Sequence, residues 1–353
     1  MEIIDLLQLA HDAKASDLIL VVGAPPTLRV DGVIQSTDLP PLTPQETERL
    51  IFSILNEHNL SEYKKHRELD TSYTVNGLAR FRVNVHQQRG SVAAALRRIP
   101  LEIPSIQELG LPERVIMDLC RLRSGLVLVT GHSGSGKTTT LASMIDVINS
   151  ERQCHMITIE DPIEFLHRHK RSIVEQREVY SDSDSFTSAL HNVLRQNADI
   201  ILIGEMRDLE TISTAMTASE TGQLVFATLH TIDASETINR IIDVFPWRQQ
   251  QQIRVQLSST IRGVLSQKLI PKAHDKGQVV ACEVMLGIQA VKNLIREGNV
   301  HHLQNVIETN AKHGMQSMDQ ALINLYKKKL IDRDELLFNI KDREREDVRA
   351  LIR

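Results

Sequence analysis

Apolar positions along the first third of the chain follow two periods. Ile3, Leu6, Leu7 and Ala10 recur at helical spacing and predict a helix over residues 3–13. Residues 18–22 form a short apolar run read as a strand. Residues 27–34 read as a hairpin turning at Asp31-Gly32. Thr43-Pro44-Gln45-Glu46 has the form of a capped helix start with proline in its first turn, and Leu50, Ile51, Ile54 and Leu55 carry one face onward. Three strands follow over residues 70–75, 78–85 and 91–98, with Asn76-Gly77 as the turn between the first two.

Pro100, Pro104 and Pro112 then interrupt the pattern, and residues 100–112 read as a linker. Beyond it the period changes. Residues 126–130, 156–160, 200–203 and 224–228 are continuous apolar runs, as expected of strands buried on both faces. Helical segments over 137–149, 185–195 and 209–221 fall between them, which gives a parallel α/β core with right-handed crossovers. The predicted organisation is therefore an α+β domain over 1–99, a linker over 100–112 and an α/β domain over 113–353. The charge-dense, mixed-sign stretch 341–353 reads as a solvated helical tail.

Charge narrows the partners. The first hundred residues hold 11 of the 41 Lys and Arg and 12 of the 45 Asp and Glu, leaving 30 and 33 in the remainder. Neither part carries the basic field that neutralises a phosphate backbone, so no nucleic-acid partner is expected. No apolar run reaches the roughly 18–20 residues that span a bilayer, and the acidic start Met1-Glu2-Ile3-Ile4-Asp5 lacks the basic region of a secretory signal. A cytoplasmic location without membrane insertion follows as the expectation. Cys120, Cys154 and Cys282 form no CxxC pair, and the 14 histidines show no metal-ligand spacing.

Candidate chemistry gathers in the second domain. Gly131-His132-Ser133-Gly134-Ser135-Gly136-Lys137-Thr138 fits G-x-x-x-x-G-K-[ST], with an apolar strand before it and a helix-forming segment after it. Glycines let successive backbone N–H groups point at one anion, and the helix N-terminus adds its positive end. Gly131, Ser133, Gly134, Ser135, Gly136, Lys137, Thr138 and Thr139 are accordingly the candidate ATP-binding residues. Lys137 is placed to reach the β- and γ-phosphates and Thr138 to ligate Mg2+. At the end of the next apolar run, Glu160, Asp161 and Glu164 cluster where a parallel sheet forms its ligand crevice. One of these acids could orient or deprotonate water, and Glu160 could also contact nucleotide. The run 199–203 is followed by Gly204-Glu205, where Glu205 can hold Mg2+ directly or through water. Arg207 could bind phosphate or pair with Glu205. His230, ending the run after that, could hydrogen-bond a γ-phosphate and report its loss.

These segments read IEDPIEF, DIILIGEMRD and TGQLVFATLHT, and together with the phosphate loop they resemble the secretion ATPase superfamily. Within it the chain is similar to the PilT branch, the retraction ATPases of twitching motility. The resemblance runs from Ala15-Ser16-Asp17-Leu18 to Gly314-Met315-Gln316. It implies a RecA-like P-loop NTPase domain preceded by a smaller PAS-like α+β domain, and a homo-hexameric ring with nucleotide at the subunit interfaces. It also implies docking on an inner-membrane pilus platform protein, hence a peripheral position at the pilus base, and a paralogous retraction ATPase is a further possible partner. By motif position Glu164 is the catalytic glutamate, Glu205 the Walker B acid and His230 the His-box residue. Arg80, Arg82 and Arg97 are candidates to reach a neighbour's phosphates. The relatives with two CxxC pairs and a larger N-terminal region are set apart by those features. Ala290-Val291-Lys292-Asn293-Leu294-Ile295-Arg296-Glu297 resembles the AIRNLIRE motif tied to retraction, with Val291 and Lys292 in place of Ile and Arg. Ile19 stands where ASDLHL has His. The resemblance is compatible with a principal retraction motor, an accessory paralogue of it or, from another class, a DNA-translocating ring.

Overall fold

The computed structural model describes residues 1–30, 32–75, 77–99, 102–274 and 276–343. Asp31 and Asn76 of the two expected turns, Pro100 of the linker and residues 344–353 of the charged tail lie outside the described residues. The chain forms two compact units. One comprises Met1–Glu102 with Glu164–Leu166, the other Ile103–Ile163 with His167–Arg353.

The first unit runs α1 (Ile3–Asp12), β1 (Asp17–Leu20), β2 (Thr27–Val30), β3 (Val33–Ser36), α2 (Pro44–Phe52), α3 (Glu57–His66), β4 (Glu68–Val75), β5 (Ala79–Gln88) and β6 (Ser91–Ile99). Its strands make one antiparallel sheet in the order β3-β2-β1-β6-β5-β4. Alternation along β5 buries Phe81, Val83 and Val85, and the intervening Arg80 and Arg82 take the opposite face. Ile3, Leu6, Leu7 and Ala10 of α1 and Leu50 and Ile51 of α2 join the same core. The start of α2 is held reciprocally: Thr43 Oγ1 accepts from Glu46 N at 3.2 Å, and Glu46 Oε2 accepts from Thr43 N at 2.9 Å.

The second unit contains α4 (Glu113–Cys120), β7 (Gly125–Thr130), α5 (Lys137–Glu151), β8 (His155–Glu160), β9 (Ile173–Glu178), α6 (Phe186–Val193), β10 (Ile200–Ile203), α7 (Leu209–Glu220), β11 (Leu224–Leu229), α8 (Ala234–Asp243), α9 (Trp247–Thr260), β12 (Ile261–Pro271), β13 (Gln278–Leu286), α10 (Gln289–Glu297), α11 (Leu303–Thr309), α12 (Met318–Lys327) and α13 (Arg333–Asn339). Its seven-stranded sheet has the order β13-β12-β7-β11-β10-β8-β9. All pairings are parallel except that of the edge strand β13 with β12. Every residue of β7, β10 and β11 is buried, because each strand feeds two cores. Leu126, Leu128, Ile201 and Ile203 face α6 to α11, while Val127, Val129, Ile200 and Leu202 face α4 and α5. At about 1.5–3 kcal/mol per buried aliphatic side chain, this double burial is the main favourable term holding the strands in register. Ile106 and Leu111 are buried in the second unit's core.

One buried carboxylate organises the end of this unit. Glu283 on β13 is 1% exposed. Its Oε1 accepts from Ala234 N at 2.9 Å, and its Oε2 accepts from Met318 N at 3.4 Å, so it holds the first residues of both α8 and α12. Asp233 caps α8 through Glu236 N and pairs with Lys341 Nζ at 2.8 Å. Burial, assisted by the Asp233 charge, pushes the Glu283 carboxyl above the usual glutamate range, and its two backbone hydrogen bonds and Lys341 only partly oppose this. A raised folded-state pKa means that this group's contribution to stability falls as pH climbs from the ordinary glutamate value through the raised one. Glu283→Gln should therefore remove that slope, so that the gap between wild type and variant narrows with rising pH in urea denaturation. Glu283→Ala, which leaves two buried N–H groups unpaired, should cost roughly 2–5 kcal/mol at acidic pH and less as pH rises.

Candidate active site

Parallel strands of common direction bring their carboxyl ends to one edge. Register places Thr130 of β7 opposite Leu229 of β11, Ala227 opposite Ile203 of β10, and Ile203 opposite Ile159 of β8. The segments that follow these strands are therefore neighbours: the loop from Gly131, then His230, then Gly204-Glu205, then Glu160.

The loop is shaped by two close approaches. Gly131 has φ of 140°, and a Cβ there would collide with the backbone carbonyl of Gln267 and with Ser135. Gly136 has φ of 86° and caps α5, which begins at Lys137. Lys137 is folded over the loop, and its Nζ donates to Gly131 O at 2.8 Å and His132 O at 3.0 Å. Ser135 Oγ is buried with no hydrogen-bond partner. A tight backbone turn at Gly131 that admits no Cβ, a buried ammonium and an unpaired hydroxyl form a donor set suited to phosphate oxygens. The arrangement is supported from below by Gln267 Nε2, which donates to Thr140 Oγ1 at 2.8 Å, and by Thr130 Oγ1, which donates to Ser266 Oγ at 3.0 Å.

Glu205 sits between two partners. Its Oε2 meets Arg207 Nη2 at 2.7 Å, and its Oε1 meets His230 Nε2 at 3.1 Å. Burial raises the Glu205 pKa, but the hydrogen bonds and charges of Arg207 and His230 outweigh it and hold the carboxyl below the usual range. The approach of the three strand ends depends on Gly204. Its N–H donates to Ile159 O at 2.8 Å, and a Cβ would stand 3.3 Å from Glu160 Cα. Thr228 Oγ1 donates to Gly204 O. Glu160 Oε1 accepts from Thr158 Oγ1 at 2.6 Å and from Gln176 Nε2 at 3.2 Å.

The sequence-derived candidates thus divide. Residues 131–139, Glu160, Glu205, Arg207 and His230 share one edge of the second unit. Glu164 is exposed and belongs with Phe165 and Leu166 to the first unit, as do the arginines. Arg80 donates to Thr74 Oγ1 at 3.0 Å and Ser72 Oγ at 2.6 Å. Arg82 and Arg97 stand directly opposite each other across β5 and β6, and Arg97 Nε donates to Asp17 Oδ1 at 3.0 Å. Gln176 and Gln267 were not singled out as site residues from sequence. The available signal was polarity at positions inside strands: Gln267 lies in the otherwise apolar run of β12, and Gln176 lies on the polar edge strand β9.

A family model described as Type II/IV secretion system protein matches residues 8–351. The chain belongs to this family. It is 46% identical over 334 residues to the Pseudomonas aeruginosa protein described as "Type IV pilus retractation ATPase PilT", covering 95% of this chain and 96% of that protein. It is 40% identical over 326 residues to the "Type IV pilus ATPase PilU" of the same organism, covering 92% and 85%. A solved structure described as "Crystal Structure of the Pilus Retraction Motor PilT and Bound ADP" superposes with a TM-score of 0.91 at 46% identity, over 97% of this chain and 98% of that one. The fold is accordingly the secretion ATPase arrangement, a RecA-like α/β domain with a smaller N-terminal α+β domain. Among the described residues no helix is long and apolar enough to cross a membrane.

The glycines of the family's phosphate loop should differ in tolerance. Gly131→Ala must displace the Gln267 backbone and should cost roughly 2–4 kcal/mol. Gly134→Ala, whose Cβ meets no atom within 4 Å, should cost only about 1–2 kcal/mol for its left-handed φ of 77°. Thermal melts of the two variants measure the contrast, and equal losses would contradict the close approach.

Proposed function

We propose that the chain is an ATP-hydrolysing motor subunit that retracts a type IV pilus by driving removal of pilin. The observation that carries this reading is the convergence of the Lys137 loop, Glu160 and the Glu205–His230 pair on one sheet edge, in a chain similar to a PilT along nearly its whole length. ATP is the substrate. Gly131, Ser133, Gly134, Ser135, Gly136, Lys137, Thr138 and Thr139 form its phosphate cradle, with Lys137 exchanging loop carbonyls for phosphate oxygens. The Thr138 hydroxyl and the Glu205 carboxylate are oxygen donors for Mg2+, which when bound neutralises charge on the phosphates. Glu164 takes the role of orienting and deprotonating water. His230, held by Glu205, is the group that senses the γ-phosphate, and Arg207, paired with Glu205, would supply positive charge to phosphate.

The working assembly is a closed homo-hexamer, since a head-to-tail interface that closes makes a ring. Arg80, Arg82 and Arg97 supply positive charge to a neighbour's nucleotide. Charge supplied in this way is worth about 10³–10⁵ in rate. The ring works in the cytoplasm against an inner-membrane platform protein at the pilus base. A paralogous ATPase is a further partner, in keeping with the similarity to PilU. Deleting the gene should leave surface pili accumulated and twitching lost. A copy carrying Glu164→Gln should bind ATP but fail to restore either. Normal piliation in the deletion strain would favour the accessory reading, and ATPase activity stimulated by DNA would favour a translocating ring.

Coupling to the pilus is assigned to α10. Val291 and Ile295 are buried and Leu294 is half-buried, so this face anchors the helix to the second unit's core. Lys292 and Arg296 lie four residues apart on one side. Lys292→Ala combined with Arg296→Ala should leave the ATPase rate and melting temperature nearly unchanged while twitching falls sharply. A parallel loss of ATPase activity and several degrees of stability would make the helix structural.

A further inference from the structure

The second unit carries a cavity of about 480 Å3 well away from the phosphate loop. Its lining includes Arg262, whose Nε donates to Ser124 O at 3.2 Å. Ser124 immediately precedes β7, whereas the phosphate loop follows the other end of that strand. Six residues at about 3.3 Å each separate the two edges by roughly 20 Å.

The charges around this cavity are unbalanced. Arg114 from α4, Arg262 from the start of β12 and Lys312 from the segment after α11 all line it, against the single acid Asp118. That leaves a net two positive charges, three minus one, with the His313 imidazole as an additional polar group. Among the described residues, none of Arg114, Arg262 and Lys312 is in a salt bridge. Ile288, the cap of α10, also lines the cavity, and α10 opens with no side-chain cap and no acid in its first turn. The helix therefore adds its positive end to the same place. Lys292, one turn on, feels the crowding. Burial, then the positive charges of Arg262 and Arg296, hold its ammonium below the usual lysine range. Like charges gathered beside a single acid are costly unless a ligand answers them.

The floor has a different character. Val115 and Leu119 of α4 and Leu286 of β13 present apolar surface. The volume falls within the ~300–1,000 Å3 usual for small-molecule sites. Two unmatched charges beside an apolar floor suit one doubly charged group on an apolar body better than a string of singly charged carboxylates.

We propose that this cavity binds a small phosphate ester with an apolar body, its phosphate held by Arg114, Arg262 and Lys312 at the start of α10. The site lies under the coupling helix and apart from the nucleotide edge, so its occupant would bias what α10 does rather than the chemistry at the phosphate loop.

The test uses the full chain carrying Lys137→Ala, which removes the phosphate loop as a competing anion site. 1-Naphthyl phosphate, an aromatic phosphate monoester, is titrated by calorimetry beside inorganic phosphate, which lacks the apolar body. The naphthyl ester should bind, and inorganic phosphate should bind more weakly. Adding Arg114→Ala and Lys312→Ala, two exposed residues, should weaken the ester at least tenfold with the melting temperature unchanged. The proposal is overturned by absence of ester binding at millimolar concentration, or by affinity that ignores the two substitutions. It is also overturned if a polyglutamate peptide binds through Arg114 and Lys312 while the ester does not, which would assign the cavity to a protein partner.

Discussion

A strand with apolar side chains on both faces can present polar chemistry only beyond its ends. β7, β10 and β11 are buried along their whole length, so the two edges of the parallel sheet are the places where this unit can meet a charged ligand. The carboxyl edge collects the phosphate loop, Glu160, Glu205 and His230. The amino edge collects Arg262, together with Arg114 and Lys312 from flanking segments. Both arrangements follow from one hydrophobic constraint.

At the carboxyl edge, electrostatics is settled by pairing rather than by exposure. Glu205 is held ionised by Arg207 and His230 despite burial that favours its neutral form. A carboxylate accepting from two side chains has a defined orientation, and one partner can be exchanged for a metal ion without leaving the charge unanswered. Lys137 is in the same condition, since the carbonyls of Gly131 and His132 occupy its donors. Lys137 and Glu205 are thus kept hydrogen-bonded within the unit itself. In the first unit Arg82 and Arg97 face each other across the sheet. Such a like-charge pair is unfavourable alone, and here Asp17 beside Arg97 offsets part of it.

Much of this was legible in the sequence because it rests on local signals. The phosphate loop needs glycines at fixed spacing, and doubly buried strands read as unbroken apolar runs. The capped start of α2 was visible in Thr43-Pro44-Gln45-Glu46 for the same reason. What escaped was set by tertiary contact. α3 buries only Tyr63, so its charged sequence carries no helical stripe. β9 is a polar edge strand whose register is imposed by β8. In α10 Ala290, Val291, Leu294 and Ile295 are all apolar, yet Ala290 is exposed, because which side of a helix meets the core depends on where its neighbours lie. Residues 100–112 read as a linker from their prolines alone, while Ile106 and Leu111 are buried, a fact that only the partners' positions reveal. Glu283 gave no signal at all, since a lone acid in an apolar strand looks the same whether it caps two helices or none.

That carboxylate has a consequence for how the unit comes apart. Because it accepts from the first residue of α8 and the first residue of α12, neither helix can fray from its amino end without leaving the other's clamp half-filled. The segment that carries His230 and the C-terminal helices should therefore open as one cooperative block, with amide protons in α8 and α12 exchanging at a shared rate. In that sense the C-terminal helices are a thermodynamic part of the ATPase body rather than an appendage to it.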